Sequence, residues 1–437
     1  MKRYLSDALW IAGGSAVTAL GTLFGVRILT QFLSPGAYGV VSLALGMSAL
    51  AISLVATPLT QAAIHYYPEM SANGSARDLL DALRRCFLRM APWILAAAVV
   101  CGTVYVRWGG GSALLVVILA LLFASDCWRS ANVSLLNAAR QNRRYALWLT
   151  SDTWARPLVA SAVVAFAGQS SIAVLGSYVL VSVTLLILFS RRLWPPDAFG
   201  ANSRAGSTHS AATLDTRIWS YALPLIPMGT IGWASNLGDR YVIGGILSVA
   251  DAGLYAAAYG LSSAPFMLVG GTVELALRPV HQAAVASGNH RRAQELFRLW
   301  IAAVAIPCGI GVLIFATAHH LLAAIFVGEA FRSGSDLMPW IGAGYAIRAT
   351  AYVFERICYA YGETRRVLTI QLCAVAATAI ATPLGVLSMG LKGAAMAVPV
   401  YFSIQLIAAM WFAKQTLQKA TLAVPSVGVE HATVSRA

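Results

Sequence analysis

Apolar residues fall in blocks long enough to cross a bilayer, separated by short polar breaks. A helix needs about 20 apolar residues to span the hydrocarbon core. Blocks of that kind run over Ala8–Phe32, Gly39–Leu59, Phe87–Val106, Ala113–Leu136, Ala146–Ala167 and Ile172–Phe189. They resume over Trp219–Leu247, Ala252–Leu277, Leu299–Ala318, Leu337–Tyr359, Val367–Leu387 and Gly393–Phe412. The pattern predicts twelve membrane helices and no strands. Met1-Lys2-Arg3 resembles the start of a signal peptide, but the apolar run behind it is too long and too Gly-rich, so a retained first span is expected.

Basic residues sort by side. With the N-terminus in the cytoplasm, inside loops hold Lys2 and Arg3, then Arg77, Arg84 and Arg85, then Arg140, Arg143 and Arg144. They also hold Arg191, Arg192 and Arg204, then Arg278, Arg291 and Arg292, then Arg365 and Arg366, with Lys414, Lys419 and Arg436 in the tail. Outside loops keep only Arg107, Arg332 and Lys392. This is the positive-inside asymmetry of a multi-pass protein with both termini in the cytoplasm. The expected organisation is a six-helix bundle over 1–190, a cytoplasmic linker over 191–216 with Pro195-Pro196, a second six-helix bundle over 217–414, and a cytoplasmic tail over 415–437.

Composition agrees. Of 437 residues, 58% are hydrophobic and 11% charged, against roughly 25% charged in soluble domains. The net charge of +14 would point to nucleic acid in a soluble chain; here it is topology, and no nucleic-acid partner is expected. The six cysteines show no paired spacing and read as small apolar residues.

The two halves repeat. At an offset of 214, Leu33-Ser34 matches Leu247-Ser248, Gly39 matches Gly253, Gly46 matches Gly260 and Ser48 matches Ser262. The register continues through Gly74 and Gly288, Arg77 and Arg291, Asp81 and Glu295, and Arg84 and Arg298. Six spans return to the same side, so the repeats are parallel, related by an axis along the membrane normal, with a cavity between them. Gly13-Gly14 aligns with Pro227-Met228, near Pro224, so both first helices of the repeats are expected to bend.

Ionisable residues inside the spans carry the candidate chemistry: Arg27, Asp126, Arg129, Asp152, Arg156, Asp239, Arg240, Glu274, Arg348, Glu355 and Arg356. Each costs roughly 2.5–3.5 kcal/mol near the bilayer centre, so each must face protein or a wet cavity. Asp126 and Arg129 share a helix face, as do Asp152 and Arg156, and the two pairs fall on neighbouring spans. One reading is a lumen in which Arg27, Arg129, Arg156, Arg240, Arg348 and Arg356 accept an anion such as phosphate through their planar forks. Trp128, Trp154, Trp233, Tyr345 and Tyr352 would then stack on sugars. The other reading is buried ion pairs that only fix helix packing.

The stretch Gly25-Val26-Arg27-Ile28-Leu29-Thr30-Gln31-Phe32-Leu33-Ser34-Pro35-Gly36-Ala37-Tyr38-Gly39 resembles the first hairpin of Wzx-type polysaccharide-biosynthesis flippases, in the multidrug/oligosaccharidyl-lipid/polysaccharide exporter superfamily. Asp239-Arg240 with Gly253-Leu254-Tyr255-Ala256 is similar to a later segment of that family, though Ala256 stands where Ser is frequent. Gly362-Glu363-Thr364 and Gly390-Leu391-Lys392-Gly393-Ala394-Ala395 also fit. The resemblance implies two six-helix bundles that carry an undecaprenyl-diphosphate-linked sugar unit across the inner membrane by ion-coupled alternating access. It further implies a proton or sodium gradient in place of a cofactor, and a polysaccharide polymerase and a chain-length regulator as partners. Asp126, Asp152, Glu274 and Glu355 are then the ion-coupling candidates.

No phosphate-binding Gly-rich loop, nucleophile elbow or zinc-binding helix motif is present, so neither a catalytic residue nor a metal site is expected. Asp78-Leu79-Leu80-Asp81 resembles a prenyltransferase acidic motif but lacks the second motif that chemistry needs. The alternatives are a multidrug or cation exporter of the same superfamily and, in a different class, a membrane polysaccharide polymerase or ligase. The latter typically carries one large external loop, whereas the outside loops here are short, the longest running from His319 to Asp336.

Overall fold

The computed structural model describes residues 2–73, 75–109, 113–139, 141–193 and 211–422. Among them there is no strand. The first half holds α1 (Lys2–Phe32), α2 (Pro35–Ala51), a π-helical turn (Ile52–Ala56), α3 (Thr57–Ala72), α4 (Ala76–Gly109), α5 (Ala113–Ala138), α6 (Asn142–Ala167) and α7 (Ser171–Leu193). The second holds α8 (Ala211–Ala222), α9 (Leu225–Ile246), α10 (Val249–Ala286), α11 (His290–Phe326), a 3-10 segment (Glu329–Leu337), α12 (Met338–Ala360) and α13 (Thr364–Leu422). α2, the π turn and α3 form one continuous rod, so they make a single pass. α13 makes two passes, because Gly390 leaves helical geometry at φ 61°, a conformation only glycine adopts freely. Each of the twelve expected spans therefore has a helical counterpart.

Large apolar side chains such as Leu95, Val100, Leu313, Leu387 and Trp411 are exposed on helix surfaces, as lipid requires and water penalises. Six helices pass a test of length and hydropathy for membrane crossing among the described residues. Those outside that set include α6, α9 and α12, whose apolar runs are interrupted by Asp152, Arg156, Asp239, Arg240, Arg348, Glu355 and Arg356. Their charges turn inward, and their polarity is the mark of the lobe interior rather than of a soluble element.

Two cores result. Leu59, Leu79, Phe87, Leu122 and Phe123 anchor the N-terminal lobe, and Tyr255, Phe266, Trp300, Phe315 and Phe402 the C-terminal lobe. The repeat is visible at atomic detail. Ser34 caps α2 by accepting from the Ala37 N–H, and its counterpart Ser248 caps α10 by accepting from the Asp251 N–H. α2 and α10 meet at these capped ends about a local twofold. A Cβ placed on Gly39 would lie 1.9 Å from the Val249 carbonyl oxygen, and one on Gly253 would lie 2.0 Å from that of Pro35. Pro35 and Val249 are themselves repeat counterparts, so each lobe presents the same surface to the other.

Several sequence expectations change. α1 runs unbroken through Gly13-Gly14, whereas its counterpart is broken at Leu223-Pro224 into α8 and α9. The seventh span is thus two helices, because Pro224 lacks an N–H for the helix ladder. α8 does not join the C-terminal core. Leu214, Ile218 and Ala222 bury themselves in the N-terminal one, and Asp215 pairs with Arg85 at 2.9 Å and Arg89 at 3.1 Å on α4. Helix also covers both ends of the linker expected over 191–216 and extends to Leu422 within the expected tail. Gly74, Arg140, Pro195-Pro196, Arg204 and Arg436 lie outside the described residues.

Candidate functional site

Three groups of polar residues lie inside the molecule. The first is in the N-terminal lobe, where α5 carries Asp126 and Arg129 and α6 carries Asp152 and Arg156, each pair on one helical face. Arg156 Nε donates to Asp152 Oδ1 at 2.9 Å, and a terminal nitrogen of Arg156 contacts Asp126 directly. Arg129 reaches Asp152 at 3.3 Å and Asp126 at 3.5 Å. Ser48 on α2 donates to the second Asp126 oxygen at 2.8 Å, Ser182 on α7 joins from the far side, and the Tyr178 ring lies under Arg156. Two cations meet two anions, so the cluster is neutral, and it is closed from four helices at once. Such a network is costly to break from one side, about 3–5 kcal/mol, because the survivor is left charged and unpaired.

The second group lines the contact between the lobes. Arg27 on α1 donates to the Val327 carbonyl, and the neighbouring Gly328 N–H donates to Thr30 Oγ1 at 2.9 Å. Arg240 on α9 reaches Ser42 on α2 at 3.2 Å and lies over the Tyr259 ring. Asp239 accepts from Tyr255 at 2.6 Å and from the Arg240 N–H at 2.8 Å. Trp233 donates its indole N–H to the Gly46 carbonyl at 2.7 Å, and Tyr241 its hydroxyl to that of Leu43 at 2.7 Å. α9 crosses the rod at its π turn, where a Cβ on Gly229 would stand 2.6 Å from the Ser53 carbonyl. Arg27, Arg240 and Trp233 therefore act between lobes in this state.

The third group is in the C-terminal lobe and is not closed. Arg348 on α12 is 5% exposed, yet among the described residues no carboxylate lies within ion-pair distance of it. Its guanidinium donates to the Tyr345 hydroxyl at 3.3 Å and to that of Tyr352, and faces the Tyr345, Tyr352 and Phe402 rings at 5.0–5.4 Å. Two helical turns along, Glu355 is equally buried and accepts only from neutral amides, Gln405 at 2.7 Å and Gln371 at 3.0 Å. A cavity of about 370 Å³ opens beside Glu355, bounded also by Glu274, Tyr352, Arg356, Tyr359 and Gln371. Glu274 on its wall pairs with Arg356 at 2.7 Å and with Arg278 at 3.3 Å.

The expected sugar-stacking residues separate. Tyr345 and Tyr352 belong to the Arg348 group. Trp154 is already occupied: it stacks on Phe24 at 5.1 Å and donates to the Val17 carbonyl at 3.0 Å, fastening α6 to α1. Trp233 is likewise engaged with Gly46. Trp128 is half-exposed, meets Phe87 edge-on, and borders a separate pocket of about 420 Å³ with Arg77, Asp81, Arg84 and Asn132. Sequence reasoning passed over Gln371 and Gln405, since neutral amides in a membrane helix carry no charge signal. Their spacing onto the face opposite Glu355 is set only by packing.

Two helical lobes joined along a pseudo-twofold seam, with polar groups inside apolar walls, define the architecture of a multi-pass membrane protein. The chain belongs to the polysaccharide biosynthesis protein family, whose sequence profile matches residues 28–333. No curated protein matches the sequence. Among solved structures, the fold is similar to the lipid II flippase MurJ in an inward closed conformation, at TM-score 0.71, 12% identity, and coverage of 94% of this chain and 90% of that one. It is also similar to an inward-facing multidrug resistance MATE family transporter of the MOP superfamily, at TM-score 0.67, 14% identity, and coverage of 96% and 95%. An outward-facing MATE transporter of that superfamily aligns at TM-score 0.57 and 13% identity, over 95% and 96%.

Proposed function

We propose that this chain flips a polyprenyl-diphosphate-linked oligosaccharide repeat unit across the bacterial inner membrane, for exopolysaccharide, capsule or O-antigen synthesis. On this reading it is a transporter rather than an enzyme, both termini are cytoplasmic, and a polysaccharide polymerase and a chain-length regulator take up its product. Membership of the polysaccharide biosynthesis family and a fold shared with a lipid II flippase support the substrate class.

The observation that carries the reading is Arg348: a buried guanidinium whose direct contacts, among the described residues, are phenol oxygens and ring faces. Ring faces hold a cation without neutralising it. A diphosphate entering the C-terminal lobe offers the paired anionic oxygens that a planar guanidinium fork fits best. Glu355 complements it. Held by Gln371 and Gln405, it can carry a proton or a sodium ion without losing its hydrogen-bonding frame, and Glu274 with Arg356 gives the same cavity a second exchangeable contact. Coupling therefore resides in the C-terminal lobe. Asp126, Asp152, Arg129 and Arg156 serve the N-terminal lobe as structural ion pairs.

The seam formed by α2 and α10 is the closed outer gate. The higher similarity to an inward-facing than to an outward-facing transporter supports this assignment. The acid- and aromatic-lined cavity also suits a cationic ligand, which is the feature that favours a multidrug exporter.

Deletion in the native host, with lipid-linked oligosaccharide measured in each leaflet, decides. Repeat units trapped on the cytoplasmic side are the expected result. Repeat units that reach the outer leaflet but stay unpolymerised mean a polymerase, and unchanged glycans mean the exporter.

A further inference from the structure

The end of α11 and the 3-10 segment that follows it form a cluster with no part in the transport reading. α11 carries His319 and His320 side by side, and the 3-10 segment folds back to set Ser335 and Asp336 against them. One nitrogen from each histidine and one Asp336 oxygen lie within 4.8 Å of one another. Among the described residues, no other group of three histidine, cysteine, aspartate or glutamate side chains converges in this way.

A simple ion pair accounts poorly for the arrangement. His319 Nε2 stands 3.7 Å and His320 Nε2 4.0 Å from the same carboxylate oxygen, both too long for hydrogen bonds. The two rings sit 4.1 Å apart, centroid to centroid, so both imidazoles crowd the one carboxylate oxygen.

A bound cation resolves each of these. Zinc holds imidazole nitrogens at about 2.0–2.1 Å and carboxylate oxygens at about 2.0–2.2 Å, which places tetrahedral ligands about 3.3 Å from one another. The separations of 3.7 and 4.0 Å close to that value by small side-chain rotations. Ser335 supplies the outer support: its hydroxyl lies 3.1 Å from His320 Nδ1, so accepting the Nδ1–H leaves Nε2 free as a ligand. Among the described residues, the buried Nδ1 of His319 has no hydrogen-bond partner that would commit that ring to one tautomer. His320 and Asp336 are 75% and 62% exposed at the side chain, giving the ion an entry path and room for water ligands.

We propose that His319, His320 and Asp336 form a binding site for a divalent transition-metal cation of the zinc class. Two imidazoles and one carboxylate with open positions suit that class over calcium or magnesium, which take oxygen ligands. The site braces the segment that meets the N-terminal lobe: Val327 and Gly328 receive Arg27 and Thr30, and Phe331 packs edge-on against Tyr38.

The test uses the full chain, purified in detergent without an affinity tag, titrated with Zn²⁺ by calorimetry and with Co²⁺ by visible absorption. The expected result is one saturable equivalent and a Co²⁺ spectrum of low coordination number. Both should weaken tenfold or more in His319→Ala and in Asp336→Asn and be unchanged in His290→Ala, an exposed histidine elsewhere. Size-exclusion profiles confirm that each variant is folded. No saturable binding to the wild-type chain overturns the site, as does undiminished binding to a folded variant lacking all three side chains.

Discussion

Replacing Gly39 with alanine tests the seam directly. A Cβ there would stand 1.9 Å from the Val249 carbonyl oxygen, and carbon and oxygen tolerate no less than roughly 3.3 Å. The facing atom is backbone, capped by Ser248 at the start of α10, and cannot swing aside as a side chain would. The lobes must therefore part by about 1.4 Å at this contact. Overpacking of this kind costs roughly 1–3 kcal/mol. Paid by the closed state alone, that biases the equilibrium toward opening by roughly 5- to 150-fold. Gly253→Ala makes the mirror-image clash with Pro35. Once the first substitution has opened the seam the second meets little resistance, so the pair should be markedly less than additive. Spin labels at exposed Gln31 and Leu247, one on each lobe, report the separation. The expected outcome is a longer, broader distance distribution in either single variant and little further change in the double. An unchanged distribution in a monodisperse Gly39→Ala protein would refute the reasoning, since the contact would then be absorbed within one lobe.

Other consequences follow from the polar groups. Asp126→Asn should lower the melting temperature sharply, through a loss of about 3–5 kcal/mol, because Arg156 and Arg129 would share one remaining carboxylate; thermal unfolding followed by size-exclusion fluorescence measures it. Arg348→Lys keeps the charge but not the planar fork, so export should fall at least tenfold with melting little changed; full export would remove Arg348 from the substrate path. Glu355→Gln preserves side-chain volume and neutral hydrogen bonding with Gln371 and Gln405, so the protein should stay folded while transport in vesicles stops responding to an imposed proton or sodium gradient. Trp154→Phe loses the bond to the Val17 carbonyl, about 1 kcal/mol, and part of the ring packing against Gly21, and should leave export intact, whereas a sugar platform would not survive loss of its indole without a drop in transport.

Much of this architecture is legible in the amino-acid order. Apolar run length reports each pass, because bilayer thickness imposes a fixed number of residues on a helix. The offset of 214 reports the repeat, and Ser34 and Ser248 reappear as matched caps because capping depends on neighbours in sequence. Helical spacing likewise foretells that Asp152 and Arg156 share a face.

What the chain order alone leaves open is every contact made between helices. Asp126 and Arg156 come from different helices, and only packing shows that they meet in a closed, neutral network while Arg348, among the described residues, has no carboxylate at ion-pair distance. Pro224 and Pro227 both mark bendable places, but the docking of α8 on the N-terminal lobe is set by Leu214 and Ile218 entering that core and by Asp215 finding Arg85 and Arg89. The convergence of His319 and His320 with Asp336 depends on the turn of a 3-10 segment that no periodicity announces. Composition and periodicity are properties of single segments and so survive in the linear order. The pairing of charges is a property of which faces come together, and the tertiary structure decides it.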